Sequence, residues 1–402
     1  MPYMTIRIYT LNSALHDVAR IEEQTRLFLS EIQAATPYRL DLAGDDMQTF
    51  ATDDLPVLFV RTGGTEGLYL RNIHCFAGRT IYLLTSGKNN SLAASAEILS
   101  HIRQHGGVGE ILHGSPEYIA RRLTVLARAQ EARLRLSGQH IGVIGEPSDW
   151  LIAGQVDEKA LRERLNITIS RIPMTELLDI LHTNPPIAPE TRSRLRHSDS
   201  TYFDGALRIY QAMRILIDRY HLTAVTLRCF DLLGAVHNTG CLALALLNQE
   251  GIPASCEGDI PTLITMMIAH ALSGQSGFQA NPARINPETD ELLFAHCTVP
   301  LNMIRNYQYD THFESGIGIA LHGELPTGDI TLLKVSGDLR RLFAGEGQLL
   351  HNQYEQDLCR TQVMLRVPGA AQYFLSDPIA NHHVILPGHW SDAFRQLLDS
   401  TL

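Results

Sequence analysis

Short apolar runs alternate along the chain with stretches of helical spacing. TIRIYTL (5–11) predicts a strand, and Val18 to Ile32 a helix. PVLFV (56–60) is a second strand signal and stops at Arg61-Thr62-Gly63-Gly64-Thr65-Glu66-Gly67. TIYLLTS (80–86) is a third and ends at Gly87-Lys88-Asn89-Asn90. Ser91 to His105 has helical spacing, with Asn90 or Ser91 suited to cap it. Val108 to Leu112 reads as a strand that leads into a helix from Pro116 to Leu136. Strands alternating with helices imply a parallel sheet wound with helices.

The pattern restarts after Ser137-Gly138. His140 to Ile144 is a strand signal ending in Gly145-Glu146-Pro147-Ser148-Asp149-Trp150. Residues 182–200 are polar and Pro-bearing and read as a long loop. Phe203, Leu207, Tyr210, Met213, Ile217 and Tyr220 trace one helix face. Strands follow at Leu222 to Leu227 and Ile252 to Cys256, with helices at Gly240 to Asn248 and from about Ile260 to Leu272. After Gly277 the texture changes to short apolar segments separated by Gly, Pro and Asp, the mark of antiparallel β structure. A short helix, Trp390 to Leu398, closes the chain. The expected architecture is α/β: two Rossmann-like domains over 1–137 and 138–277, then a β-rich C-terminal domain over 278–402.

Charge narrows the partners. Lys+Arg is 33 and Asp+Glu 43, a net charge of −10, so no basic footprint for nucleic acid or an anionic membrane is present. No apolar run approaches the ~18 residues of a membrane span. MPYMTIRIYT lacks the layout of a secretory leader, so a cytoplasmic protein is expected. The six cysteines contain no CxxC pair and read as buried thiols.

In wound sheets, ligands bind beyond the carboxyl ends of the strands. Polar residues there are Arg61, Thr62, Thr65, Glu66, Lys88, Asn89 and Asn90 in the first domain. In the second they are Glu146, Ser148, Asp149, Arg228, Asp231, Glu257 and Asp259. Cys256-Glu257-Gly258-Asp259 places two carboxylates between an apolar strand and an apolar helix, where charge must be paired or on a metal. Asp259 suits a helix cap; Glu257 lies too far back for one. His296 stands at a strand end, and Asn381-His382-His383 opens another strand. Period-two alternation lets only one of His382 and His383 face a given site. The Thr62-Gly63-Gly64-Thr65 turn can cradle an anion with backbone N–H groups but is no P-loop. Ile141-Gly142-Val143-Ile144-Gly145-Glu146 lacks the third glycine of a dinucleotide fingerprint.

VRTGGTEGL (60–68), NNSLAASAEI (89–98), IGVIGEPSDWLIA (141–153), CEGDIPTLITMMI (256–268), ELLFAHCTVP (291–300), THFESGIGIAL (311–321) and NHHVILPGH (381–389) together resemble the L-fucose isomerase and L-arabinose isomerase family, in a compact branch. The resemblance implies two Rossmann-like domains and a β-rich domain, assembled as a trimer or hexamer with sites near subunit interfaces. It implies a divalent metal, usually Mn²⁺, and proton transfer between C1 and C2 of an aldose through a cis-enediol. Carried over by position, Glu257 is the first acidic ligand and the acid/base group, His382 the late histidine, and His296 a further histidine ligand. Asn281 falls where the family has its second acidic ligand; an amide can bind a hard cation but cannot act as a carboxylate base. Arg61, Thr62, Gly64, Asn90, Glu146, Trp150, Arg228, Asn381 and His389 are the expected sugar-binding residues.

With one carboxylate missing, Glu257, a divalent cation and neutral His382 count to about +1 by formal valence. Such a site favours an anionic aldose bearing a sulfonate, carboxylate or phosphate, for example sulfoquinovose. Two alternatives stay open: a non-catalytic sugar-binding or regulatory protein of the same fold, and a sugar epimerase. The rival to the charge argument is that Arg61 and Arg228 pair with local acids and that the sugar is neutral.

Overall fold

The computed structural model describes residues 4–399. The chain divides between Glu131 and Ala132 into two compact units. The first holds a parallel sheet of β1 (Thr5–Leu11), β2 (Arg39–Gly44), β3 (Pro56–Val60), β4 (Ile81–Leu84) and β5 (Gly109–Leu112), in the order β2-β1-β3-β4-β5. Its inner strands are buried on both faces. Val57 and Phe59 pack into one core with Ile119 and Leu123, while Leu58 and Val60 pack into another with Ile98 and Ile102. That two-sided burial is why PVLFV is a continuous apolar run.

The second unit begins with a parallel sheet of β6 (His140–Ile144), β7 (Thr168–Ile172), β8 (Ala224–Leu227) and β9 (Ala254–Cys256), ordered β7-β6-β8-β9. The strand order reverses at β6, so β6 and β8 flank a switch point, where wound sheets place their ligands. The chain then forms β10 (Phe278–Asn286), β11 (Glu291–His296), β12 (Asn306–Asp310), β13 (Ala320–Glu324), β14 (Gly328–Val335), β15 (Leu342–Gln353), β16 (Thr361–Arg366) and β17 (His383–Pro387). Six of these close an antiparallel barrel, β10-β11-β16-β15-β14-β17, and β12 and β13 form a hairpin. The architecture is thus wound parallel α/β followed by antiparallel β, as the apolar pattern implied.

One core joins this sheet to the barrel, running from Ile144 and Leu227 through Phe278 and Leu332 to Ile385. The helix Ile260–Ser273 is buried on almost every side, as expected of a helix that is apolar all round. It meets the barrel through Thr265, whose hydroxyl accepts from Val335 N at 3.1 Å.

Sequence reading missed β2 and β7. Both are sheet edges with mixed exposure, so neither shows a continuous apolar run. The expected loop over 182–200 contains a five-residue helix, Pro189–Ser193, opened by its proline. In GIGIALHG only the part from Ala320 is a strand; the residues before it stay irregular around His312.

Candidate active site

The residue after β9 is Glu257, at φ +66°, a left-handed backbone that costs a non-glycine residue about 1–2 kcal/mol. Three hydrogen bonds fix it. Ser148 N donates to Glu257 O at 2.9 Å, Gly258 N to Leu227 O at 3.1 Å, and Asp259 N to Cys256 O at 3.2 Å. Gly258 follows at φ +72°, and a Cβ there would lie 2.7 Å from Glu146 O and Pro147 Cα. Only glycine fits under the β6 loop. The turn therefore thrusts the Glu257 side chain into a cavity of about 460 Å³.

Asp259 completes the turn as the N-cap of Ile260–Ser273, accepting from Thr262 N at 2.8 Å. Its second oxygen accepts from the Thr262 hydroxyl at 2.7 Å and from His382 Nδ1 at 2.8 Å. A carboxylate only accepts, so His382 carries a proton on Nδ1, and in the neutral imidazole the lone pair is on Nε2. That Nε2 is buried, has no hydrogen-bond partner among the described residues, and lies 3.5 Å from Glu257 Oε1. His296, at the end of β11, contacts Thr298 Oγ1 through Nδ1 at 2.9 Å and turns Nε2 to within 3.7 Å of Glu257 Oε1. The two imidazoles meet edge to face at 5.3 Å. Glu257, His296 and His382 present ligand atoms within 4.8 Å of one another.

Charge follows from this crowding. Burial alone would raise the Glu257 carboxyl, but His296 and His382 hold it well below the usual carboxylate range. Asp259 is likewise held low against its burial, by Lys334 and His382. Burial disfavours the His382 imidazolium, yet Asp259 and Glu257 outweigh it and raise the group to about 9. Lys334, on β14, is fully buried; it donates to Thr262 Oγ1 at 2.6 Å and lies 3.9 Å from Asp259. Burial lowers its pKa, with Asp259 opposing. His383 faces away, with Nε2 3.0 Å from the Tyr373 hydroxyl, and burial together with Lys334 and His382 pushes it down to about 3. Strand alternation separates the adjacent histidines as expected.

Asn281, Asn381 and Trp150 line the same cavity. The Asn281 Oδ1 is buried with no hydrogen-bond partner among the described residues. Trp150 donates from Nε1 to Glu257 Oε2 at 2.6 Å. Arg228 is engaged by Asp149 at 3.2 Å, Asp231 at 3.0 Å and the Pro147 carbonyl at 2.8 Å. The exposed Glu146 lies 3.7 Å from Arg171, and His389 bonds Asp329 and Glu346 on the barrel surface. Arg61, Thr62, Gly64 and Asn90 belong to the first unit. There Arg61 pairs with Glu22 at 2.6 Å and Thr62 Oγ1 accepts from Ser13 N at 2.9 Å. Asn90, at φ +59°, precedes the helix Ser91–Gln104.

Sequence reading passed over several cavity residues. Phe230, Thr239, His312 and Glu314 line it, as do Cys229, Cys241, Cys256, Cys297 and Cys359. The cysteines are free thiols, and Cys229 and Cys256 touch, with Sγ atoms 2.9 Å apart. Lys334 had a signal in the sequence: a lysine sharing the strand face of Ile330 and Leu332.

No protein-family model matches the chain. Among curated proteins it is similar to the sulfoquinovose isomerase of Priestia aryabhattai and to that of Priestia megaterium (strain ATCC 12872 / QMB1551). With each it shares 24% identity over 292 residues, 68% of this chain. It is 22% identical over 303 residues to the sulfoquinovose isomerase of Clostridium sp. (strain MSTE9), covering 69% of this chain and 68% of that one. The match spans 65% of the length of the two Priestia relatives. Among the described residues no helix is long and apolar enough to cross a membrane.

Proposed function

We propose that the chain is a divalent-metal-dependent aldose–ketose isomerase acting on an anionic aldose, with sulfoquinovose the first candidate. The observation that carries this is the buried meeting of Glu257, His296 and His382 at a strand-end cavity. The residues fit a divalent cation: two imidazole nitrogens and a carboxylate oxygen converge, and His382 Nε2 and Asn281 Oδ1 are buried polar atoms without partners among the described residues. Mn²⁺ is the ion the family resemblance implies, and the carboxylate and amide oxygens of the set suit it. Bound there, the cation supplies Lewis-acid polarisation of the sugar's adjacent oxygens.

The chain's own residues do the rest. Asp259 fixes the tautomer and angle of His382, the usual work of a carboxylate behind a metal-ligating imidazole. Glu257 takes the proton from C2 of the aldose and returns it to C1, while the hydroxyl proton of O2 passes to O1, so that the aldose becomes the ketose by way of a cis-enediol. An amide takes no such proton, so Asn281 serves as a ligand or as a partner for a sugar hydroxyl. Its presence is also what favours the second reading, a sugar-binding protein without turnover; ketose formation separates the two, and product analysis separates isomerisation from epimerisation.

The charge of the site supports an anionic sugar. Glu257 and a divalent cation count to +1, and the Asp259–Lys334 pair adds one charge of each sign, leaving that count unchanged. Arg61 and Arg228 contribute less than their number suggests, because Glu22, Asp149 and Asp231 already engage them. The relatives' names agree with this charge. The test is kcat/KM for sulfoquinovose against L-fucose, D-arabinose and glucose, in the wild type and in Asn281→Asp. We expect sulfoquinovose to lead, and the added carboxylate to cut that lead about tenfold, or ~1.4 kcal/mol. A neutral sugar ahead by that margin in the wild type overturns the charge argument. The free thiols fit a reducing, cytoplasmic setting. From the family resemblance we further propose a homo-oligomer, trimer or hexamer. A monomer at micromolar concentration in sedimentation contradicts it.

A further inference from the structure

The geometry points to Trp150 as a positioning residue for Glu257, an inference that rests on the functional reading above. Its indole N–H donates to Glu257 Oε2 at 2.6 Å, a short bond to a charged acceptor. The other oxygen, Oε1, is the one 3.5 Å from His382 Nε2 and 3.7 Å from His296 Nε2. The carboxylate is thereby divided: one oxygen is held by the indole and the other is presented to the imidazoles.

The donor's chemistry matters. An arginine or lysine in this place would cancel the charge that the cation and the proton transfer both need. An indole donates one N–H, accepts nothing and carries no charge, so it orients the carboxylate and leaves it an anion. The surroundings are built to hold that angle. Ser148 N binds the Glu257 carbonyl, and the Glu146-Pro147 backbone packs against Gly258. Arg228 ties the loop down through the Pro147 carbonyl at 2.8 Å. The indole stands edge-on to Phe230, with ring centroids 4.8 Å apart at 80°. Main chain and side chain of Glu257 are thus both clamped by the one loop that follows β6. Trp150 is also half exposed and lines the cavity, so the clamp lies where a sugar enters.

Trp150→Phe keeps a ring against Phe230 and removes only the N–H. We expect kcat to fall about tenfold with KM within about threefold, and Mn²⁺ affinity, read by electron paramagnetic resonance, to weaken. Unchanged kcat overturns the proposal. A raised KM with unchanged kcat also overturns it and makes Trp150 a sugar-stacking surface instead. A second measurement needs neither turnover nor metal. The sequence has two tryptophans, and Trp390 is occupied elsewhere, donating to Pro387 O at 2.8 Å. In a Trp390→Phe background the emission maximum and acrylamide quenching report Trp150 alone. Replacing Glu257 by Ala should move both; emission that ignores Glu257 contradicts the bond. If the wild type takes up no Mn²⁺ and converts no sugar, the functional reading fails, and the emission comparison still decides the role of Trp150.

Discussion

At the end of β3, the turn from Arg61 to Glu66 ties its polar atoms into its own unit. Arg61 pairs with Glu22, Thr62 accepts from Ser13 N, the Thr65 hydroxyl donates to the Thr62 carbonyl, and Gly63 N donates to Asn89 O. At the end of β9, the turn from Glu257 to Asp259 is wired just as firmly through its backbone, but Glu257 is aimed into a cavity beside two imidazoles. Both turns sit where a wound sheet places ligands, and both contain a left-handed glycine. Position therefore does not distinguish them. Buried charge does: in the second turn a carboxylate held well below its usual range faces a histidine nitrogen that has no hydrogen-bond partner among the described residues.

The sharpest way to break this contrast is Glu257→Gln. The amide keeps the shape and loses the base, so kcat should fall by at least ~10²-fold. Circular dichroism and thermal melting should show the fold retained. Near-native turnover moves the proton-transfer role elsewhere, with Asp259 next.

Asp259→Asn comes second, because Asp259 caps a helix, orients His382 and faces the buried Lys334 at once. Divalent-cation affinity, by calorimetry, should drop ~10–100-fold. Leaving Lys334 without its ion pair should cost about 3–5 kcal/mol in denaturant unfolding. If stability falls and affinity does not, Asp259 serves the helix alone.

The pH dependence of stability comes third. In metal-free protein the His382 imidazolium is raised from 6.5 to about 9, so its contribution is present in full below pH 6.5 and is lost as pH rises towards 9. Glu257 and Asp259 are lowered from 4.5 and 3.8, so theirs is present above those values and is lost in acid. A cation needs His382 without its second proton. The gap in Tm between Mn²⁺-loaded and EDTA-treated protein should therefore widen from pH 6.5 to 9. A gap that stays flat across that range contradicts the assignment of His382 as a ligand.

The smallest effect is expected in the first turn. Thr62→Val removes the acceptor of Ser13 N and should cost about 1–2 kcal/mol in stability, with cation affinity unchanged by calorimetry. A loss of cation affinity there would erase the contrast between the two turns.

Much of this was legible in the residue order. The wound sheets showed because β3 and β4 are buried on both faces and so are unbroken apolar runs, with β8 broken only by Thr226. Glu257 showed because a carboxylate between an apolar strand and an apolar helix needs a partner; alternation left His382 and His383 open, and only the family resemblance singled out His382. The edge strands β2 and β7 did not show, since half-exposed strands mix polar and apolar positions. Nor did the partnering of Arg228 with Asp149, or the bond from Trp150 to Glu257 across 107 positions, because such contacts are made by folding. The thiol wall was hidden for the same reason: its cysteines lie on separate segments of the second unit that only the fold brings together.

The most direct test of the central claim is to follow sulfoquinovose by NMR in ²H₂O with metal-depleted protein, before and after adding Mn²⁺. We expect no conversion without the cation, conversion to the corresponding ketose with it, and solvent deuterium at C1 of the product in proportion to exchange at the Glu257 carboxyl. Full conversion by metal-free protein, or a Mn²⁺-loaded protein that leaves sulfoquinovose and every neutral aldose unchanged, contradicts it.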